Sequence, residues 1–193
     1  LPPIPLAVAR TMIGAGAKRL IERGLEADGR QVGPDDIARM TGVFIEHYGA
    51  HIAELSKPFE GLEDALDRMA ARGHRFAVCT NKLEWLSKRL LDELGLSHRF
   101  AAICGADTFG VSKPDPAILR QTVVLAGGQL ADAIMVGDAG TDVGVARRAG
   151  IPVIGVAFGY TDTPMAELNP DRLIQHMLEL PEAVEDLIEI STA

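Results

Sequence analysis

A chain of 193 residues that is 47% hydrophobic and 24% charged is long enough for one sizeable domain, or a core with a smaller appendage, and a mainly disordered state is excluded. A net charge of −8 and a pI near 5.1 exclude nucleic acid and anionic membrane as partners unless a local basic patch exists, and none is visible. No apolar run reaches the length of a membrane span, no basic-then-apolar leader opens the chain, and Cys79 and Cys104 sit in apolar strand-like runs, so a cytoplasmic protein with two reduced, buried thiols is expected.

From Leu6 to Leu55 the apolar spacing is helical throughout, with segments Leu6–Ile13, Ala17–Leu25 and Ile37–Ile52. Gly14-Ala15-Gly16 separates the first two, and Ala27-Asp28-Gly29 with Gly33-Pro34-Asp35 bounds the second and third, Pro34 suiting a first helical position. His47 and His51 stand one helical turn apart, but no third ligand completes a zinc pattern, and packing or solvent exposure is the expectation. The stretch Ser56-Lys57-Pro58-Phe59-Glu60-Gly61 reads as a linker, which divides the chain into a helical unit, residues 1–57, and a unit of alternating strands and helices, residues 58–193.

In the second unit a helix from Leu62 to Ala71 precedes a strand from Arg75 to Thr80, and a helix from about Leu83 to Leu94 precedes a strand from Phe100 to Cys104. Asp115 and Pro116 open a helix as cap and first residue, reaching Ala126. The run Ala133 to Asp138 is a strand followed by a helix through Val143 to Ala149; further strands are expected at Val153–Phe158 and near Leu173–Met177, then a helix from Pro181 to Ile190. Strands alternating with helices imply right-handed crossovers, so the fold class is α/β, with a Rossmann-like parallel sheet covered on both faces and a small α-helical domain attached.

Three strand ends carry candidate chemistry. Asp138, at the carboxyl edge of its strand, and Asp142, four positions on at a helix start, suit a hard cation such as Mg²⁺, or else serve as a turn residue and a first-turn acid. Thr80 and Asn81 present a hydroxyl, an amide and backbone N–H groups to an anion, or else cap the following helix. Lys113 is held on an extended loop because Pro114 disfavours helix before it. Together they supply positioning and charge neutralisation for phosphoryl transfer, through Lys113, Thr80 and an Mg²⁺ on Asp138. A nucleophile is missing from the set.

On these residues the chain resembles the haloacid dehalogenase superfamily, and within it the phosphoglycolate phosphatase-like phosphatases. Thr80-Asn81 resembles the second family motif, Lys113 in Ser-Lys-Pro-Asp-Pro the third, and Gly137-Asp138 with Asp142 the fourth. The resemblance implies that Thr80, Asn81 and Lys113 bind phosphate, that Asp138 ligates Mg²⁺, and that Asp142 orients Lys113 or a metal-bound water. It also implies that residues 1–57 form an α-helical cap, and that the Gly14-Ala15-Gly16 turn either faces a substrate carboxylate or simply joins two helices. The first family motif, Asp-x-Asp-Gly-Thr, is absent: no Asp-x-Asp occurs in the chain. In the family its first Asp attacks phosphorus and its second is the general acid and base.

By the same resemblance the missing strand lies between those ending at Thr80 and Asp138, so its loss should leave an unpaired trench in the sheet; the native protein is expected to carry the segment upstream of Leu1. The expected function is hydrolysis of a small phosphorylated metabolite, 2-phosphoglycolate first, by a monomer or homodimer that binds no nucleic acid or membrane, and the chain as it stands is expected to be inactive. Alternatives are a sugar-phosphate mutase, a phosphonate hydrolase or a dehalogenase on the same core, or a degenerate, non-catalytic regulatory or interaction domain. A phospho-acceptor receiver uses similar residues, but in the order acid, Thr, Lys rather than Thr80, Lys113, Asp138.

Overall fold

The computed structural model describes residues 3–5, 8–9 and 12–192. Half of the expected helix Leu6–Ile13, positions 6, 7, 10 and 11, falls outside them; positions 8–9 are helical and 12–13 lie in a turn. The helical segment comprises α1 (Ala17–Ala27) and α2 (Pro34–Ala50). Gly29, at φ 69°, supplies the left-handed turn after α1, and Pro34 with Asp35 and Asp36 starts α2 with a preset φ and two acids on the positive end of the helix dipole. The rings of His47 and His51 lie with centroids 4.4 Å apart and planes tilted by 33°, and the His51 Nδ1 lies 2.8 Å from the His47 carbonyl. No group of three potential metal ligands occurs among the described residues.

The strand-and-helix unit follows as α3 (Leu62–Ala71), β1 (Phe76–Cys79), α4 (Glu84–Glu93), β2 (Phe100–Cys104), α5 (Pro116–Leu125), β3 (Met135–Gly137), α6 (Gly140–Ala149), β4 (Val153–Val156), β5 (Arg172–Ile174) and α7 (Leu180–Thr192). Asp115 caps α5, accepting the Ala117 N–H at 2.9 Å, with Pro116 next in the first turn. Among the described residues no helix is long and apolar enough to cross a membrane.

Every strand pairing is parallel, but the expected single sheet is realised as two ladders, β1–β2 and β3–β4–β5. In β1–β2, Cys79 stands opposite Cys104; in β3–β4, Gly137 stands opposite Gly155. The helices make the two ladders one body. On one face, α3 and α7 contribute Ala65, Met69, Val184 and Leu187 to a core with Ile154, Val156 and Ile174, and both Phe76 of β1 and Val136 of β3 pack against it. On the other, Ile118 and Leu119 of α5 and Val143 and Ala146 of α6 form a core with Met135 and Val153, against which Cys79 packs.

Both apolar layers are thus continuous over a break between β1 and β3. Burial reports the same break: β4 is buried at all its positions, whereas Ala77 in the middle of β1 is exposed and β3 is buried only at Met135. β1 and β3 therefore each offer an unpaired edge, with N–H and C=O groups that a parallel strand between them would satisfy.

Candidate active site

The carboxyl ends of β1 and β3 and the loop before α5 converge on a buried ion pair. Lys113 Nζ lies 2.6 Å from Asp142 Oδ1, and the two side chains are only 9% and 6% exposed. A charge pair so deeply withdrawn from water is stable only if its remaining bonding capacity is met. Asp142 meets it through the backbone. Its Oδ2 accepts the N–H groups of Asp138 and Ala139, both at 3.0 Å, a reach back across the start of α6. Gly137 makes room for this: a Cβ there would stand 2.3 Å from the Asp142 Cβ and Cγ. Both oxygens of Asp142 are therefore engaged, Oδ1 by Lys113 and Oδ2 by two backbone donors, and of the roles considered for it this geometry suits the orienting of Lys113.

Asn81 fixes Lys113 from the other side. Its Oδ1 accepts the Lys113 N–H at 2.8 Å, while its Nδ2 donates to the Lys113 carbonyl at 3.1 Å and to the Gly14 carbonyl at 3.2 Å. The amide side chain is thus a clamp on the lysine's main chain and on the turn before α1. Thr80 continues the β1–β2 ladder, its N–H donating to the Cys104 carbonyl at 3.0 Å. The Thr80 hydroxyl oxygen accepts the Lys82 N–H at 3.2 Å, a bond that does not use the hydroxyl proton.

Asp138 lies beside the pair. Its Oδ2 accepts the Tyr160 N–H at 2.8 Å, and Gly159 is required there, since a Cβ would come within 2.1 Å of the Asp138 Cβ. Burial pushes the Asp138 carboxyl above its ordinary pKa; the Tyr160 N–H opposes this, the Asp142 carboxylate adds to it and the Lys113 ammonium opposes it.

The helical segment closes over this edge. Gly14 (φ 112°) and Gly16 (φ 87°) bring the turn before α1 so close that their Cβ positions would lie 3.5 Å from the Ala139 Cβ and 3.3 Å from the Asn81 carbonyl. Gly49 of α2 seats against Trp85, Tyr48 meets Lys82, and Arg23 of α1 pairs with Asp162 at 3.5 Å.

A family model for haloacid dehalogenase-like hydrolases matches residues 10–156. The chain belongs to that family. The phosphoglycolate phosphatase of Mesorhizobium japonicum is 42% identical to it over 167 residues, covering 86% of this chain and 74% of that protein. The phosphoglycolate phosphatase of Agrobacterium fabrum is 40% identical over 194 residues, covering 100% of this chain and 83% of that protein. Among solved structures, a predicted phosphoglycolate phosphatase from Haemophilus somnus shares the fold with a TM-score of 0.85 at 24% identity, covering 95% of this chain and 84% of that one.

In this hydrolase the expected site residues Thr80, Asn81, Lys113, Asp138 and Asp142 fall in one neighbourhood. Their suitability for Mg²⁺ can be judged from Asp138, a desolvated carboxylate whose Oδ1 is left open to a ligand by the hydrogen bond at Oδ2. It fits as one oxygen donor in a partial set, and Mg²⁺ commonly takes one or two carboxylates and completes its shell with phosphate and water. Sequence reasoning missed Tyr48, Lys82, Gly159 and Tyr160. Lys82 was signalled by its place directly after Thr80-Asn81, and Gly159-Tyr160 by following a buried strand at the same edge as Asp138; Tyr48, on a helix of the other segment, carried no local signal.

Proposed function

We propose that this hydrolase is an Mg²⁺-dependent phosphatase of a small phosphorylated metabolite, with 2-phosphoglycolate the first candidate. The observation that carries the reading is the buried Lys113–Asp142 pair set beside the Thr80 hydroxyl and the desolvated Asp138. The names of relatives that are 40% and 42% identical support the substrate.

Phosphoryl transfer asks mainly for positioning and for charge to be neutralised where it develops. Lys113, clamped by Asn81 and aligned by Asp142, holds an ammonium against a phosphoryl oxygen; the Thr80 hydroxyl and the Asn81 backbone hold the others. Asp138 would hold Mg²⁺, which when bound offsets the negative charge of the transferring group. The attacking carboxylate is assigned to an extended segment lying in the break between β1 and β3, where its end would be level with Thr80 and Asp138. Attack on phosphorus breaks the bond to the ester oxygen, which leaves as the alcohol after protonation by a second acid, and water then cleaves the acyl phosphate. Residues 1–57 act as a cap over residues 58–193, and the net charge of −8 suits a small metabolite held by local cations better than nucleic acid or membrane. We place the enzyme in the cytoplasm, as a monomer or homodimer.

The test is release of phosphate from 2-phosphoglycolate by the protein expressed from its native start, with Mg²⁺ and with chelator. Activity should need the metal and should be abolished in Asp138→Asn; metal-independent turnover, or an unaffected variant, would sink the mechanism. The chain beginning at Leu1 should be inactive, and vigorous hydrolysis by it would place the nucleophile elsewhere.

A further inference from the structure

The cations of this protein are mostly matched. Lys18 faces Glu22, Lys88 faces Glu84, Lys113 faces Asp142, and Lys57 is exposed to water. Arg75, Arg120, Arg147 and Arg148 also meet no carboxylate but are exposed; Lys82 is half-buried, and no carboxylate approaches its Nζ within 4.0 Å among the described residues. The nearby acids are committed elsewhere, Glu84 to Lys88 and Thr108, and Asp107 to the Glu84 N–H. Helix α1, whose start lies against Asn81, carries no acid in its first turn.

What holds the Lys82 ammonium is Tyr48 of α2, whose hydroxyl oxygen accepts from it at 2.6 Å and whose ring centroid lies 4.7 Å away. A phenol and a π face fix the group in place without cancelling its charge. Two of its three N–H donors remain. Withdrawing an ammonium from water without a counter-charge costs free energy, and rules of this kind are broken mainly where function requires it. The location is specific as well. The Lys82 N–H bonds the Thr80 hydroxyl oxygen, so its position is tied to the group assigned to phosphate, at the seam where the helical segment meets the strand ends.

We propose that Lys82, seated on Tyr48, is a specificity-determining residue that selects substrates bearing a second anionic group, a carboxylate, on the skeleton that carries the phosphate. The proposal rests on the phosphatase reading and deepens it. Tyr48 is a positioning residue in this scheme. It comes from the helical segment, so the carboxylate site is complete only when that segment is closed on the core, and a substrate with both anions favours the closed form that one with phosphate alone does not.

The experiment compares kcat/KM for 2-phosphoglycolate with kcat/KM for p-nitrophenyl phosphate, which has no carboxylate, in the Mg²⁺-loaded protein expressed from its native start. In Lys82→Met the ratio of the two should fall by about 10- to 100-fold, through KM for phosphoglycolate, as expected for loss of a charge-assisted contact. Lys82→Arg should recover most of the ratio, and Tyr48→Phe should lower it a few-fold. A structural role would reduce both substrates together, so an unchanged ratio in Lys82→Met overturns the proposal. If the unsubstituted protein hydrolyses neither compound, the phosphatase reading fails by itself. Titration calorimetry of the metal-free protein then decides on Lys82: a preference for 2-phosphoglycolate over inorganic phosphate that Lys82→Met abolishes supports the proposal, and one that survives, or was never present, overturns it.

Discussion

Replacing Asp142 by Asn probes the energetics of the site, because the change keeps the shape of the side chain while it removes the charge and turns one of the two acceptor oxygens into an NH2 donor. The Lys113 ammonium, 9% exposed, would then lie buried beside a neutral amide that cannot accept as strongly, and the backbone donors of Asp138 and Ala139 would lose a charged acceptor. Breaking one side of a buried pair typically costs about 3–5 kcal/mol, far above the value of an exposed pair. For a chain of 193 residues that corresponds to a fall in Tm on the order of 10 °C.

The assay is urea denaturation at pH 7 of the unsubstituted protein, Asp142→Asn, Lys113→Met and the double variant. Lys113→Met leaves the carboxylate with its two backbone donors, so it should cost less than Asp142→Asn. The double variant should be more stable than the sum of the single effects predicts, by at least about 1.5 kcal/mol of coupling. Additive losses, or a cost for Asp142→Asn below about 1 kcal/mol, would show that water reaches the pair and that Asp142 does not hold Lys113 in place.

Asp138→Asn, which should remove activity, should also raise Tm in chelator at pH 7. Burial holds the native Asp138 pKa above its unfolded value, so this group favours folding on the acid side, and that contribution is lost as pH rises through the native pKa. The gain in Asp138→Asn should accordingly shrink as the pH is lowered, and the absence of any gain at neutral pH would refute the desolvation argument. Gly137→Ala should lose activity and at least about 2 kcal/mol of stability by denaturant titration, because its Cβ would strike the Asp142 side chain at 2.3 Å. Asn81→Ala should lower kcat by roughly 10- to 100-fold with KM less affected, by freeing the Lys113 main chain; an effect confined to KM would return Asn81 to direct phosphate binding.

The order of strands and helices was legible because period-2 and period-3.6 patterns are local, and so were Asp115-Pro116 as a helix start and the three polar strand ends. Strand lengths were not. The run Ala133 to Asp138 reads as a full strand, yet β3 pairs only over Met135–Gly137, because the extent of a ladder is set by its partner strand and not by the run itself. The division of labour within the site was equally hidden. Nothing in Thr80-Asn81 says that the amide grips a main chain 32 residues away, and the spacing of Asp138 and Asp142 alone does not say that Asp142 turns to Lys113 and the backbone while Asp138 takes the Tyr160 N–H. Tyr48 was beyond reach because its partner lies 34 residues further along the chain.

The threefold grip of Asn81 separates chemistry from access. Two of its hydrogen bonds run to the Lys113 main chain and one to Gly14 in the turn before α1. Lifting the helical segment to admit substrate or release product breaks only the last. In the proposed cap-and-core scheme the lysine would keep its place while the helical segment is lifted, so that each turnover would begin with its charge already set rather than reassembled.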